Sequence, residues 1–269
     1  MMRLAIHTLA YLGFAVALAA QDPKPVEKKD PPKYKPNDRT RPRPKVIEPP
    51  TASTEEQPGK PPSDAVILFD GKDLSEWTRD GKKPDDPDAA PKWKVENGYA
   101  EISRGGGGIR TKKKFGDSQI HIEWATPKEV KGSDQGRGNS GLYLGGFSEI
   151  QILDSFNNDT YPDGQAAGLY GKLPPLVNAS RKPGEWQSYD IVARLAKTDE
   201  SGKIIRPANL TVFHNGIVVH LAVEFPGKFG PFDLYLQDHG NPIRFRNIWV
   251  RKVGEYDEDA TPPPVKEKK

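Results

Sequence analysis

The chain has 269 residues, of which 35 % are hydrophobic, with 27 prolines and no cysteine. Without cysteine there are no disulfides and no thiol chemistry, so the folded part must be held by its own core. Lysine and arginine (40) nearly balance aspartate and glutamate (37). This excludes the concentrated basic face that nucleic-acid binding requires.

The chain opens like a secretory leader. Arg3 gives a positive start, residues 4–18 are almost wholly apolar or small, and Ala17, Leu18, Ala19 and Ala20 offer small residues for cleavage. Residues 1–20 therefore read as a signal peptide. The expected protein is exported, periplasmic or extracellular, with no stable membrane span once the leader is removed. Residues 21–63 hold nearly half of the prolines, interleaved with charge. Such a stretch offers no apolar face to offset its ordering entropy, so it is expected to be a disordered, semi-extended tether. Residues 254–269 repeat that character as a charged tail.

Between residues 64 and 253 the hydrophobic period is two. Strands are expected in chain order at 66–69, 93–95, 99–102, 119–124, 140–144, 149–153, 189–195, 210–213, 217–221, 232–237 and 245–253. Asn97-Gly98 and Asn215-Gly216 sit between such runs, and both residue types tolerate the positive φ of a type I′ hairpin. No stretch has a long amphipathic helical pattern. Many short strands with tight turns predict an all-β, antiparallel, single-domain β-sandwich or jelly roll. Three longer connections, 78–91, 127–138 and 155–184, are candidates for function. The glycine run 105–108 is a turn and not a phosphate loop, because no Lys-Ser/Thr and no helix follow it.

Several segments together resemble the 3-keto-disaccharide hydrolase family. They are Leu68-Phe69-Asp70-Gly71-Lys72-Asp73-Leu74 with Trp77, Arg137-Gly138-Asn139-Ser140-Gly141-Leu142-Tyr143-Leu144 and Glu149-Ile150-Gln151-Ile152-Leu153-Asp154-Ser155. Pro183-Gly184-Glu185-Trp186-Gln187-Ser188-Tyr189-Asp190, Asp238-His239-Gly240 and Phe245-Arg246-Asn247-Ile248-Trp249 complete the set. The resemblance spans residues 65–253. It implies a concanavalin-like jelly roll whose concave sheet binds saccharide, and action on glycosides already oxidised to a ketone at C3.

The residues themselves suggest where the chemistry lies. Glu149 and Gln151 share strand parity opposite Ile150 and Ile152, so they face away from the core. Asp154 has the other parity and lies about 16 Å from Glu149 along an extended strand. A retaining glycosidase needs its carboxylates about 5–5.5 Å apart, so paired-carboxylate catalysis does not suit this strand. Glu149 is the first catalytic candidate. His239 is the second, because it follows a strand at a Gly/Pro-rich turn and histidine titrates near neutrality. Substrate-binding candidates are Arg137, Asn139, Tyr143, Gln151, Asp154, Lys172, Asp238 and Arg246. The arginines would hold an enolate oxygen. A divalent ion on Glu149, His239 and a loop acid is an arrangement the sequence neither places nor excludes.

The function expected is cleavage of 3-keto-glycosides by proton abstraction at C2, elimination and hydration. A saccharide is the partner, oxidised upstream by a sugar 3-dehydrogenase. The alternative from another class is a non-catalytic carbohydrate-binding module or lectin-like envelope protein.

Overall fold

The computed structural model describes residues 34–256; the leader, the start of the tether and the end of the tail lie outside the described residues. Residues 34–41 belong to a small unit of their own, in which Asp38 accepts hydrogen bonds from the backbone and hydroxyl of Thr40. The main unit begins at Pro42.

Among the described residues the main unit has fifteen strands. The first eight are β1 (Val66–Phe69), β2 (Trp77–Arg79), β3 (Lys94–Glu96), β4 (Tyr99–Glu101), β5 (Ile109–Thr111), β6 (Ser118–Ala125), β7 (Ser140–Leu144) and β8 (Ile150–Ile152). The rest are β9 (Gln187–Arg194), β10 (Lys197–Thr198), β11 (Ile204–Arg206), β12 (Ala208–His214), β13 (Ile217–Phe225), β14 (Leu234–Leu236) and β15 (Arg244–Lys252). An eight-stranded sheet runs β13-β12-β9-β6-β15-β4-β3, with β1 also on β15. A five-stranded sheet runs β2-β5-β14-β7-β8, and β10 pairs with β11 alone. Every pairing is antiparallel. This is the expected antiparallel, concanavalin-like jelly-roll sandwich.

Alternation explains the two layers. Ile120, Ile122 and Trp124 on β6 and Tyr189, Ile191 and Ala193 on β9 point inward from the large sheet. They belong to one buried cluster with Leu142, Leu144, Ile150, Ile152, Leu234 and Leu236 of the small sheet. Tyr189 also donates its hydroxyl across the core to the carbonyl of Gln151, at 2.6 Å. That bond satisfies a phenol that burial holds in its neutral form. Both Asn-Gly hairpins form, with φ of 49° and 79° at Asn97 and Gly98 and 52° and 78° at Asn215 and Gly216.

Two features depart from the sequence expectation. The stretch from Thr51 to Ser63, read as part of a disordered tether, packs on the domain. The Thr51 backbone N–H donates to Lys60 O and the Lys60 N–H to Thr51 Oγ1, closing a loop. Polar groups of the sheet hold this loop, so its lack of an apolar face was no guide. The second departure lies in β15. A bulge at Asn247 (φ 49°) breaks the register between Arg246 and Trp249. Arg246 pairs with Glu123 and Trp249 with His121, so simple parity fails and both project from the same outer face.

Candidate active site

The outer face of the five-stranded sheet carries two rows of side chains. Arg110 on β5 pairs with Tyr235 on β14, and Tyr235 pairs with Tyr143 on β7. The β7–β8 register, with Leu142 opposite Ile150, then brings Tyr143 opposite Glu149. The next row holds Gly108, Gln237, Gly141 and Gln151. The two glycines leave room for their neighbours' side chains to lie across the sheet. A Cβ on Gly141 would stand 2.0 Å from Glu149 Oε1, and one on Gly108 would stand 2.4 Å from the Tyr235 ring.

Glu149 is half-buried in this arrangement. Burial raises its pKa, and the hydroxyl of Tyr143, which donates to its carboxylate, offsets part of the rise. The same burial, with the carboxylate beside it, raises the pKa of Tyr143 and keeps the phenol protonated. Gln237 donates from Nε2 to the Tyr143 hydroxyl at 3.3 Å, and its buried Oε1 has no partner among the described residues. Tyr170 donates its backbone N–H to Glu149 O, and its hydroxyl meets that of Tyr161. These two exposed tyrosines edge the site with ring faces of the kind that pack on the C–H face of a sugar.

The other sequence candidates divide into those that support this face and those that lie elsewhere. Gln151 is buried and spent: its Nε2 donates to Gln135 Oε1 at 2.8 Å, and its Oε1 accepts from Ile152 N. Asn139 is likewise buried, donating to Gln135 O. Asp238 folds the rim, accepting from Gly107 N at 2.9 Å and Gly240 N at 2.8 Å. His239 is exposed on that rim.

Arg137 and Asp154 do not join Glu149. Arg137 Nε donates to Asp154 Oδ2 at 2.7 Å, and its other nitrogens donate to the carbonyls of Phe156 and Asn157. The pair therefore clamps the start of the 155–184 loop. Lys172 turns its ammonium over the Phe225 ring, 5.9 Å from the centroid. Arg246 lies on the other sheet, because its pairing partner is Glu123 of β6. Neither arginine expected to hold an enolate oxygen stands beside Glu149. Among the described residues, no three His, Asp or Glu side chains gather in metal-ligating geometry.

Sequence reasoning passed over Tyr235, Gln237 and Gln135. Tyr235 and Gln237 alternate with Leu234 and Leu236, a signal that was readable. Gln135 lies in a short 3-10 turn (Asp134–Gly136) whose partners are remote in sequence. Reasoning also passed over a polar cluster on the outer face of the eight-stranded sheet. His121 Nδ1 stands 2.7 Å from Asp190 and its Nε2 3.3 Å from Glu123. Arg246 Nε donates to Glu123 Oε2 at 2.7 Å, and Asn247 Nδ2 donates to Glu123 Oε1 at the same distance. The loop at 51–60 completes the set. Ser53 donates to Glu123, and Arg246 donates to the carbonyls of Thr54 and Glu55. Burial opposes charge on His121, yet hydrogen bonds to Asp190 and Glu123 push its pKa up to about 9. Burial works against charge on Glu123 too, and its four donors bring it down to about 2.

An antiparallel sandwich with a polar, tyrosine-edged outer sheet is a concanavalin-like domain in layout. Residues 64–251 match the model of the 3-keto-alpha-glucoside-1,2-lyase-like domain, and the chain belongs to that family. A crystal structure from Parabacteroides distasonis ATCC 8503, of a protein provisionally named a glycosyl hydrolase, is 39 % identical. It aligns with a TM-score of 0.70 over 79 % of this chain and 93 % of that one. A second protein of that organism, with the same provisional name, is 20 % identical with a TM-score of 0.52, covering 71 % of this chain and 94 % of its own; it supports the fold alone. No curated protein matches the chain.

Proposed function

We propose that this chain cleaves the glycosidic bond of 3-keto-glycosides by elimination followed by hydration. The observation that carries this reading is a single half-buried carboxylate, Glu149, held by a tyrosine hydroxyl on an open sheet face. Asp154, the other acid of that strand region, is tied up by Arg137. The partner at the Glu149 carboxylate is thus a neutral hydroxyl and not a second carboxylate, whereas direct glycoside hydrolysis uses two. The family description, which names a 1,2-lyase, supports bond-breaking across C1 and C2.

In the proposed sequence the C3 ketone acidifies the C2 proton, and Glu149 takes it. The C2–H electron pair moves into a C2=C3 enolate, with charge on the C3 oxygen. The Gln237 amide, which has a second N–H beyond the one given to Tyr143, replaces the arginines that the sequence suggested for that oxygen, and the Tyr143 hydroxyl turns to it once Glu149 is protonated. The ketone then re-forms, a C1=C2 double bond appears and the C1–O bond breaks. The departing oxygen takes a proton from His239 at the rim or from water. Water adds at C1 and a proton returns to C2, so the net change is hydrolysis. Burial helps Glu149, since a carboxylate with a raised pKa is the stronger base. The leader-like start of the chain places this activity outside the cytoplasm in our reading, downstream of a sugar 3-dehydrogenase.

The test compares matched chromogenic glucosides, one normal and one oxidised to the 3-ketone. Release from the ketone alone is expected, with Glu149→Gln abolishing it at an unchanged melting temperature. Turnover retained by Glu149→Gln would remove that residue from the mechanism. Binding without release from either glucoside would favour the carbohydrate-binding module.

A further inference from the structure

The eight-stranded sheet carries a cavity of about 420 Å³ on its outer face, away from Glu149 and roofed by the loop at 51–60. That volume lies in the range of small-molecule sites, about 300–1,000 Å³. Its floor follows from the register. Asp190, His121 and Trp249 form one row across β9, β6 and β15, and Ser188, Glu123 and Arg246 form the next.

The charged core of this floor is internally satisfied, but its margin is not. Asp190 uses Oδ1 on His121, and its Oδ2 has no partner among the described residues. The hydroxyl of Ser188 and the Nε2 of Gln119 are also unengaged there, although Gln119 Oε1 accepts from Arg251. Lys60, from the roof, and Arg181, from the 155–184 loop, line the same space. Asp190 can only accept, Gln119 Nε2, Lys60 and Arg181 can only donate, and Ser188 can do both. Acids and bases around the cavity nearly cancel, so no strongly charged ligand is called for. A compound whose adjacent hydroxyls each donate and accept matches this lining.

We infer that this cavity is a second saccharide site, taking a neutral, unoxidised sugar of one or two rings. It would let the protein hold a glycan through one sheet while the other acts on an oxidised ring. The inference does not depend on the reaction proposed for Glu149.

The test is titration calorimetry of the full chain with sucrose and with methyl α-glucoside. Saturable binding of at least one is expected in the wild type and, unchanged, in Glu149→Gln. Ser188→Tyr projects a ring into the cavity and should weaken binding about tenfold or more, as expected when one or two ligand hydrogen bonds are lost. Should Ser188→Tyr fail to fold, the double variant Lys60→Met/Arg181→Met alters only exposed margin residues and should show the same loss. Absence of saturable binding of both sugars by the wild type overturns the inference. So does binding that survives the cavity variants or disappears with Glu149→Gln.

Discussion

At the scale of single residues, the candidate site depends on what Gly141 lacks. Glu149 lies over it, and this close approach is what buries the carboxylate and raises its pKa. Gly141→Ala would put a methyl group 2.0 Å from Oε1, so the carboxylate would have to swing away. A displacement of about 1 Å can cost about 100-fold in rate. We expect kcat/KM on the 3-keto substrate to fall by roughly that factor, with stability reduced by only about 1 kcal/mol. Steady-state kinetics and urea unfolding read the two effects separately, and full activity would refute the packing argument. The pH dependence follows from the same contact. Glu149 must be ionised to accept a proton, so activity should rise with pH through its raised pKa. Tyr143→Phe removes the donor that favours the ionised form. The acid limb of the pH–kcat/KM profile should therefore shift to higher pH in that variant, and an unmoved limb would separate Tyr143 from Glu149.

At the scale of elements, Val66–Phe69 and Ser140–Leu144 were legible with their exact limits, because a short apolar run in the first and the alternation of Leu142 and Leu144 in the second are bounded by turn residues. Trp77–Arg79 and Ile109–Thr111 were not, since three residues are too few to show a period. The bulge at Asn247 hid the true facing of Arg246 and Trp249, because one extra residue inverts parity. In the site, Glu149 and Tyr143 were readable from parity. The engagement of Arg137 with Asp154 was not, since it depends on how a long loop returns. That ion pair makes its own prediction. Both side chains are largely buried, and Arg137 also holds two loop carbonyls. Breaking a buried pair from one side costs about 3–5 kcal/mol because a charge is left uncompensated. Asp154→Ala should lower unfolding stability by about 3 kcal/mol and loosen the 155–184 loop. Hydrogen exchange at the backbone amides of Ala166 and Gly168 would report the loosening.

At the scale of the whole molecule, the loop at 51–60 connects the sequence boundary of the domain with its electrostatics. The family match begins at residue 64, yet Glu123 and Arg246 complete their hydrogen bonding with Ser53, Thr54 and Glu55. A chain beginning at Asp64 would leave those partners exposed or unpaired, whereas one beginning at Pro42 keeps them. The pH dependence of stability should distinguish the two chains. His121 has a folded pKa near 9 against an ordinary 6.5, so its contribution is fully present below pH 6.5 and is lost as pH rises through about 9. Glu123 has a folded pKa near 2 against 4.5, so its contribution is present above pH 4.5 and is lost as pH falls toward 2. Each shift corresponds to about 3 kcal/mol, with the bond between the two groups counted in both. The full chain should therefore be most stable between these limits. Removal of Ser53 takes one of the four donors from Glu123 and leaves its folded pKa less depressed, so in the chain starting at Asp64 the acid-side loss should begin at the same pH but be smaller and end at a higher pH. The alkaline limb should move little, because Asp190 and Glu123 remain beside His121. Thermal melts of both chains from pH 3 to pH 10 would show this, and superimposable acid limbs would mean that the loop rests on the cluster without contributing to its charge balance.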